Sequence, residues 1–167
     1  MRTSLAYAQS PRSNPLDRVE EIAGSHGWAF DRRGDEEMAV EVPGQWATYS
    51  LYVVWSEDVN SLHLSMALGV RVPDRRWSPV CELLALVNER LWLGHFALWS
   101  DEGMPMFRHS VLARGGAPLG MELLEELIEV ARRESERFYP AFQFVIWGGK
   151  SAEDALTAAM LDTVGEA

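Results

Sequence analysis

The clearest pattern along the chain is an alternation of apolar and more polar side chains between residues 62 and 72. A period of two is typical of a strand that buries one face and leaves the other in water, and sheets of that kind are usually antiparallel. The apolar positions are Leu62, Leu64, Met66, Leu68, Val70 and Val72. We therefore predict a strand over this segment and an antiparallel sheet around it.

Other short apolar segments bounded by turn-forming residues predict the remaining strands. They cover residues 28–31, 38–42, 46–55, 93–99 and 105–112. The last two segments are separated by a polar turn at residues 100–103, and we therefore predict that they form a hairpin.

The segment 46–55 has two faces of different character. We assign one of them to the core, because its members pack well on a pleated surface. These core positions are Ala47, Tyr49, Leu51, Val53 and Trp55. The opposite face then carries Trp46 and Tyr52 outward, which predicts aromatic side chains on the solvent side of the sheet.

Four segments with helical periodicity complete the secondary structure. Asn14 and Pro15 suit the start of a helix that runs toward Gly24, and Ser78-Pro79 opens a second one. A longer helix is predicted over residues 119–139, with Pro140 expected to end or kink it. Ser151 begins a capping box for the last helix.

The resulting order, α-ββββ-α-ββ-αα, predicts an α+β fold with a curved antiparallel sheet flanked by helices. Residues 14–167 are expected to form a single domain, because 167 residues suit one core. Residues 1–13 are rich in Ser, Arg and Pro, and we expect them to be a flexible N-terminal tail.

The charge balance narrows the possible partners. Fifteen basic against 25 acidic residues give a net charge of -10, which disfavours nucleic acid and anionic membranes. No apolar run approaches the roughly 20 residues that cross a bilayer. The single cysteine, Cys81, cannot form an internal disulfide, and the N-terminal apolar stretch is too short for a secretion signal. We therefore expect a cytoplasmic protein.

Candidate chemistry is sparse. Residues 115–120 have the glycine spacing of a phosphate-binding loop, but Met121 and Glu122 stand where lysine and a hydroxyl residue are required. None of the four histidines lies within four residues of another, although His95 and His109 could meet across the hairpin. A third ligand would still be needed to hold a metal. We predict no metal site, no cofactor and no enzymatic activity.

Aromatic residues are in surplus, with seven tryptophans in the chain. An exposed aromatic patch on a sheet commonly anchors another polypeptide. We therefore predict that the solvent face of the sheet binds a partner. Its candidate residues are Trp46, Tyr52, His63 and Arg71.

Three segments resemble the bacterial YbjN domain family: residues 88–96 (NERLWLGHF), 138–144 (FYPAFQF) and 147–151 (WGGKS). The resemblance covers nearly the whole chain after residue 14. It implies a fold similar to that of the small dimeric type III secretion chaperones, which hold an unfolded stretch of a client, and it brings the family's label of sensory-transduction regulator. It supplies no catalytic residue.

Our leading hypothesis is a non-enzymatic interaction module, a homodimer, that binds a protein client by sheet-edge pairing and apolar contacts and favours basic client segments. The first alternative is a small-molecule or metal sensor, or an enzyme, with a pocket between sheet and helices. That pocket would be lined by Trp92, His95, Trp99 and His109. The second alternative is a structural subunit of a larger assembly.

Overall fold

The computed structural model describes residues 14–113 and 117–164. The predicted order of elements is confirmed. The elements are α1 (Pro15–His26), β1 (Phe30–Arg33), β2 (Glu37–Pro43), β3 (Thr48–Ser56), β4 (Ser61–Ala67), α2 (Trp77–Asn88), β5 (His95–Trp99), β6 (Met104–Leu112), α3 (Met121–Ile146) and α4 (Ala152–Val164). The expected tail, 1–13, and part of the glycine-rich loop, 114–116, lie outside the described residues.

The six strands form one antiparallel sheet in the order β1-β2-β3-β4-β6-β5. The helices pack on one face, where α1 contacts β2 and β3, α3 contacts β4 and β6, and α2 contacts β5. The core lies between these two layers and includes Tyr49, Leu51 and Phe107. No described helix covers the opposite face, which we call the outer face of the sheet.

The first and last helices, α1 and α4, are capped by the residues that the sequence predicts. The Asn14 side chain accepts a hydrogen bond from the Leu16 amide, with Pro15 at the first helical position. At the last helix, the Asp154 amide donates to Ser151 Oγ at 3.2 Å. Each cap satisfies an amide that has no partner within its helix.

The strand predicted over residues 62–72 is shorter than expected, because β4 ends at Ala67. Gly69 adopts a φ of 73°, which turns the chain out of regular pairing. The chain nevertheless stays beside β6, since the Val72 amide donates to the Gly103 carbonyl at 2.7 Å. Leu68, Val70 and Val72 therefore remain buried, as the alternation predicts.

Of the two outcomes predicted at Pro140, an end or a kink, the end is wrong, since α3 continues to Ile146. Proline removes one hydrogen bond and crowds the preceding turn, at a cost of about 3 kcal/mol. The turns that follow bury Phe142, Val145 and Ile146 in the core. Burial of three large side chains stabilises by about 1.5–3 kcal/mol each, which exceeds the cost of the proline.

Candidate functional site

The strand register places four unlike side chains in one row across the outer face. Tyr52 of β3 lies opposite Ser65 of β4, Ser65 opposite Arg108 of β6, and Arg108 opposite His95 of β5. Side chains directly opposite one another on a sheet face are near neighbours. The row therefore combines an aromatic ring, a hydroxyl, a guanidinium and an imidazole on a face that no described helix covers.

A groove of about 460 Å³ runs over this part of the outer face. Its walls include Tyr52 and Trp99, whose rings meet edge to face with centroids 6.2 Å apart. The two rings lean toward each other over β4 and β6, and Ser65 and Met106 beneath them are buried. The full lining is Tyr52, Val54, His63, Ser65, Ala97, Leu98, Trp99, Ser100, Met106 and Arg108.

The polar side of the groove is a hydrogen-bonded cluster around His63. Nε2 of His63 lies 3.0 Å from Arg108 Nη2 and 3.3 Å from Arg108 Nε, while Nδ1 lies 2.7 Å from Ser110 Oγ. A guanidinium has only donors, so Nε2 must be the acceptor. The imidazole proton therefore sits on Nδ1 and donates to Ser110. Ser65 Oγ, 2.9 Å from Nε2, completes the cluster.

Burial lowers the pKa of the His63 imidazole, and the nearby Arg108 charge lowers that pKa further, with smaller effects from His95 and His109. The pKa of His109 is also lowered, first by burial and then by His95. Loss of solvent and nearby positive charge both disfavour the charged form of an imidazole. His63 is therefore neutral at pH 7, as its bond from Arg108 requires.

Acidification is expected to destabilise the protein through His63. The unfolded histidine titrates near pH 6.5, while the folded pKa is lower, so the unfolded state binds more protons between the two values. The contribution of His63 to stability is thus present above about pH 6.5 and is lost as the pH falls through the folded pKa. Urea unfolding at several pH values between about 8 and 5.5 measures how the free energy of unfolding depends on pH.

The matched variant is His63→Gln, whose amide can still accept from Arg108 and donate to Ser110. The variant should reduce the dependence of the unfolding free energy on pH by the part due to His63. The part that His109 contributes should remain. An unchanged slope in His63→Gln would show that His63 does not titrate differently on folding.

The structure brings together two of the four residues predicted to bind a partner. Tyr52 and His63 both line the groove. Trp46 is 48% exposed but lies in the turn before β3, where Glu136 of α3 accepts a hydrogen bond from the amide of Gln45, the preceding residue. Arg71 follows β4, is largely exposed and pairs with Glu102 at 3.2 Å. Trp46 and Arg71 therefore lie outside the groove.

Sequence reasoning missed Arg108, Ser65 and Met106 as members of the site. The available signal was the period of two along β6, in which Phe107 is a core position and Met106 and Arg108 are its neighbours. That parity assigns Met106 and Arg108 to the outer face. Their position opposite Ser65 and Ala67 depends on the β4 to β6 pairing, which joins segments distant in sequence.

The pocket proposed between sheet and helices is not assembled from its four predicted residues. The hairpin register sets His95 opposite Arg108, so that His95 and His109 belong to alternate faces of the sheet. The alternative in which His95 and His109 meet across the hairpin is therefore not realised. Trp99 alone of the four lines the groove. Within residues 14–113 and 117–164, no group of three or more His, Cys, Asp or Glu is placed to hold a metal ion.

Both edges of the sheet are protected against pairing. β1 carries Asp31, Arg32 and Arg33, and charged side chains discourage another strand. At β5, the Asn88 side chain bonds the Phe96 backbone twice, accepting from its amide at 2.7 Å and donating to its carbonyl at 3.0 Å. Asn88 thus occupies the place of a neighbouring strand. A partner strand at the middle of β5 would have to displace it.

A family model described as "Putative bacterial sensory transduction regulator", YbjN, matches residues 15–144. This chain belongs to the YbjN family. In segment 88–96, one of the three on which the resemblance to this family was noted, Asn88 and Phe96 make the double hydrogen bond at β5. Gly94 lies tightly against β6, where an added Cβ atom would meet Phe107 and the Arg108 carbonyl oxygen.

Two solved structures share the fold of this YbjN-family chain. One is a chain of the ExsC–ExsE complex, with 19% identity, a TM-score of 0.57, and coverage of 78% of this chain and 94% of that one. The other is YbjN from E. coli, with 13% identity, a TM-score of 0.53, and coverage of 78% and 87%. The type III secretion chaperone-like α+β fold implied by the family resemblance is confirmed.

A search among curated proteins found no match. In the described part of the chain, no helix combines the length and the apolar character needed to span a membrane.

Proposed function

We propose that this YbjN-family protein is a non-enzymatic regulatory module that holds a polypeptide partner in the groove on the outer face of its sheet. The observation that carries the proposal is the groove itself, which has aromatic walls on a face without a covering helix. Tyr52 and Trp99 remain 39% and 38% exposed, although they are large and partly apolar. Exposed aromatic residues around a concavity are typical anchors for a protein partner.

Binding across the face is favoured over pairing at an edge. The charges of β1 and the Asn88 bonds on β5 oppose strand addition at the two ends of the sheet. The groove, in contrast, offers apolar side chains beside hydrogen-bonding groups without any rearrangement of the backbone. The structural neighbour in the ExsC–ExsE complex supports a protein as the partner, since that chain was crystallised with a second protein.

The wider proposal is a cytoplasmic homodimer in which residues 14–167 form one domain. Light scattering on the purified chain measures the oligomer, and a mass of twice 18.8 kDa supports the dimer. A much larger mass in native extracts would instead favour the structural-subunit alternative.

Removal of the aromatic walls is expected to abolish most partner binding. In the double variant Tyr52→Ser and Trp99→Ser, we expect partner capture from native extract to fall about tenfold or more, because buried aromatic anchors dominate interface energies. Affinity capture with quantitative mass spectrometry measures this loss. Unfolding curves for each variant establish that the sheet is intact.

Two control variants make the same chemical change elsewhere on the surface. Trp147 at the end of α3 is 64% exposed, and Trp46 is 48% exposed in the β2 to β3 turn. Trp147→Ser and Trp46→Ser should leave capture unchanged. If partner capture falls in Trp46→Ser but not in the groove variant, the binding surface lies at the β2 to β3 turn and not in the groove.

A small-molecule sensor is the second candidate, because the groove volume of about 460 Å³ falls within the range of ligand sites. A thermal-shift screen with metabolites separates the two functions. Stabilisation by a metabolite that is lost in the groove variant, with no protein partner captured, would favour the sensor.

A further inference from the structure

Arg108 differs from the arginines that make ion pairs in this protein. Across the described residues, Arg32, Arg71 and Arg132 each lie within 4.0 Å of a carboxylate, whereas no carboxylate lies that close to Arg108. Its hydrogen bonds go to the uncharged acceptor Nε2 of His63. In a chain with 25 acidic and 15 basic residues, the guanidinium in the groove has no opposite charge beside it.

The hydrogen bonds to His63 orient the Arg108 guanidinium but engage only some of its N–H donors. They engage Nε and Nη2, and a guanidinium carries five N–H donors in all. His63 is itself fixed by Ser110, so its ring cannot turn away freely. The remaining donors of Arg108 are therefore available to an acceptor that enters the groove, since Arg108 is one of its lining residues.

We propose that Arg108 binds the carboxylate of an Asp or Glu side chain in the polypeptide partner, with an adjacent apolar side chain of that partner packed between Tyr52 and Trp99. This inference rests on the proposed function and adds the chemistry of the segment that is recognised. Arginine suits the task because its planar fork matches a carboxylate with two parallel hydrogen bonds.

A carboxylate fits this site better than a phosphate or a basic side chain. His63 supplies no second cation, because it already accepts from Arg108, and the surrounding protein has a net charge of -10. A doubly charged phosphate would meet one cation inside a negative field. A lysine or arginine of the partner would be repelled by Arg108 at contact distance, although the overall charge attracts basic segments from afar.

The test is selection from a random dodecapeptide library displayed on phage, performed on the wild-type chain, on Arg108→Gln and on Arg71→Gln. Arg71 is the matched control, an exposed arginine outside the groove. We expect wild-type and Arg71→Gln to enrich peptides that carry Asp or Glu beside an aromatic or aliphatic residue. Arg108→Gln should lose the acidic preference and keep the apolar one.

One enriched peptide is then measured by calorimetry against the same proteins. Arg108→Gln, and Glu→Gln in the peptide, should each weaken binding about tenfold, and the two changes together should weaken it little more. Arg108→Lys should retain part of the affinity, because it keeps the charge and loses the fork. Thermal unfolding of each variant shows whether it is folded.

The outcomes separate the two proposals. Peptides enriched without an acidic residue, or equally on Arg108→Gln, overturn the carboxylate site and leave the groove as a binding surface. If Arg108→Gln and Glu→Gln in the peptide weaken binding additively when they are combined, the carboxylate site is overturned as well. Failure to enrich any peptide on the wild-type chain counts against the proposed function itself, and the carboxylate site falls with it.

Discussion

Replacement of Gly94 by alanine is expected to lower the free energy of unfolding by about 4 kcal/mol, through backbone strain and a steric clash together. Gly94 has a φ of 68°, a conformation that costs other residues about 1–2 kcal/mol. A Cβ atom there would lie 2.3 Å from Cζ of Phe107 and 2.8 Å from the Arg108 carbonyl oxygen. Phe107 is buried against Phe96 and cannot move aside easily.

Gly69 provides the matched control for this prediction. Its φ of 73° is nearly the same, but an added Cβ would meet no atom within 4 Å. Gly69→Ala should therefore cost only the strain of about 1–2 kcal/mol. Equilibrium unfolding in urea, followed by circular dichroism, compares the two variants. Equal losses would mean that the loop before β5 moves enough to accept the methyl group.

Local patterns in the sequence predicted most of the fold because they reflect local physical causes. The alternation around β4 survives because each apolar side chain must reach the core, even where Gly69 interrupts the strand. The caps at Asn14 and Ser151 depend on residues a few positions apart. The β5 to β6 hairpin requires only a short turn.

The failures arise where a distant contact decides the outcome. Pro140 stays within α3 because Phe142 and Val145 are buried in the core, and nothing in the neighbouring sequence reveals that packing. The groove depends on β3 and β5, which are separated by two strands in the sheet. Tyr52 was identified from its own strand, but its contact with Trp99 could be inferred only from the complete strand order.

The arrangement of the sheet explains why a face, and not an edge, is left for binding. An open edge invites uncontrolled pairing with other chains, and in this protein the charges on β1 and the Asn88 bonds to β5 oppose such pairing. A concave face can instead discriminate, because its side chains set shape and charge together. In the function proposed above, the net charge of -10 would draw positively charged chains from a distance, and Arg108 inside the groove would select among the segments that arrive.

Replacement of Asn88 by alanine is expected to destabilise the protein by about 2 kcal/mol and to make it self-associate. The change removes both hydrogen bonds to Phe96 and leaves a part-buried amide and carbonyl without partners. The same two groups then lie open along β5, where a second chain could pair with them. Urea unfolding measures the first effect, and light scattering over a range of concentrations measures the second.

Glu82→Ala, at an exposed position on the same helix, is the control and should change neither quantity. An Asn88→Ala variant that stays monodisperse and equally stable would contradict the role of Asn88 at the edge.

The Asn88→Ala variant also tests how the partner binds. If the partner occupies the groove, the affinity of soluble Asn88→Ala should equal that of the wild type. If the partner instead adds a strand to β5, removing the side chain that occupies the edge should strengthen binding, and the groove would lose its place as the binding surface.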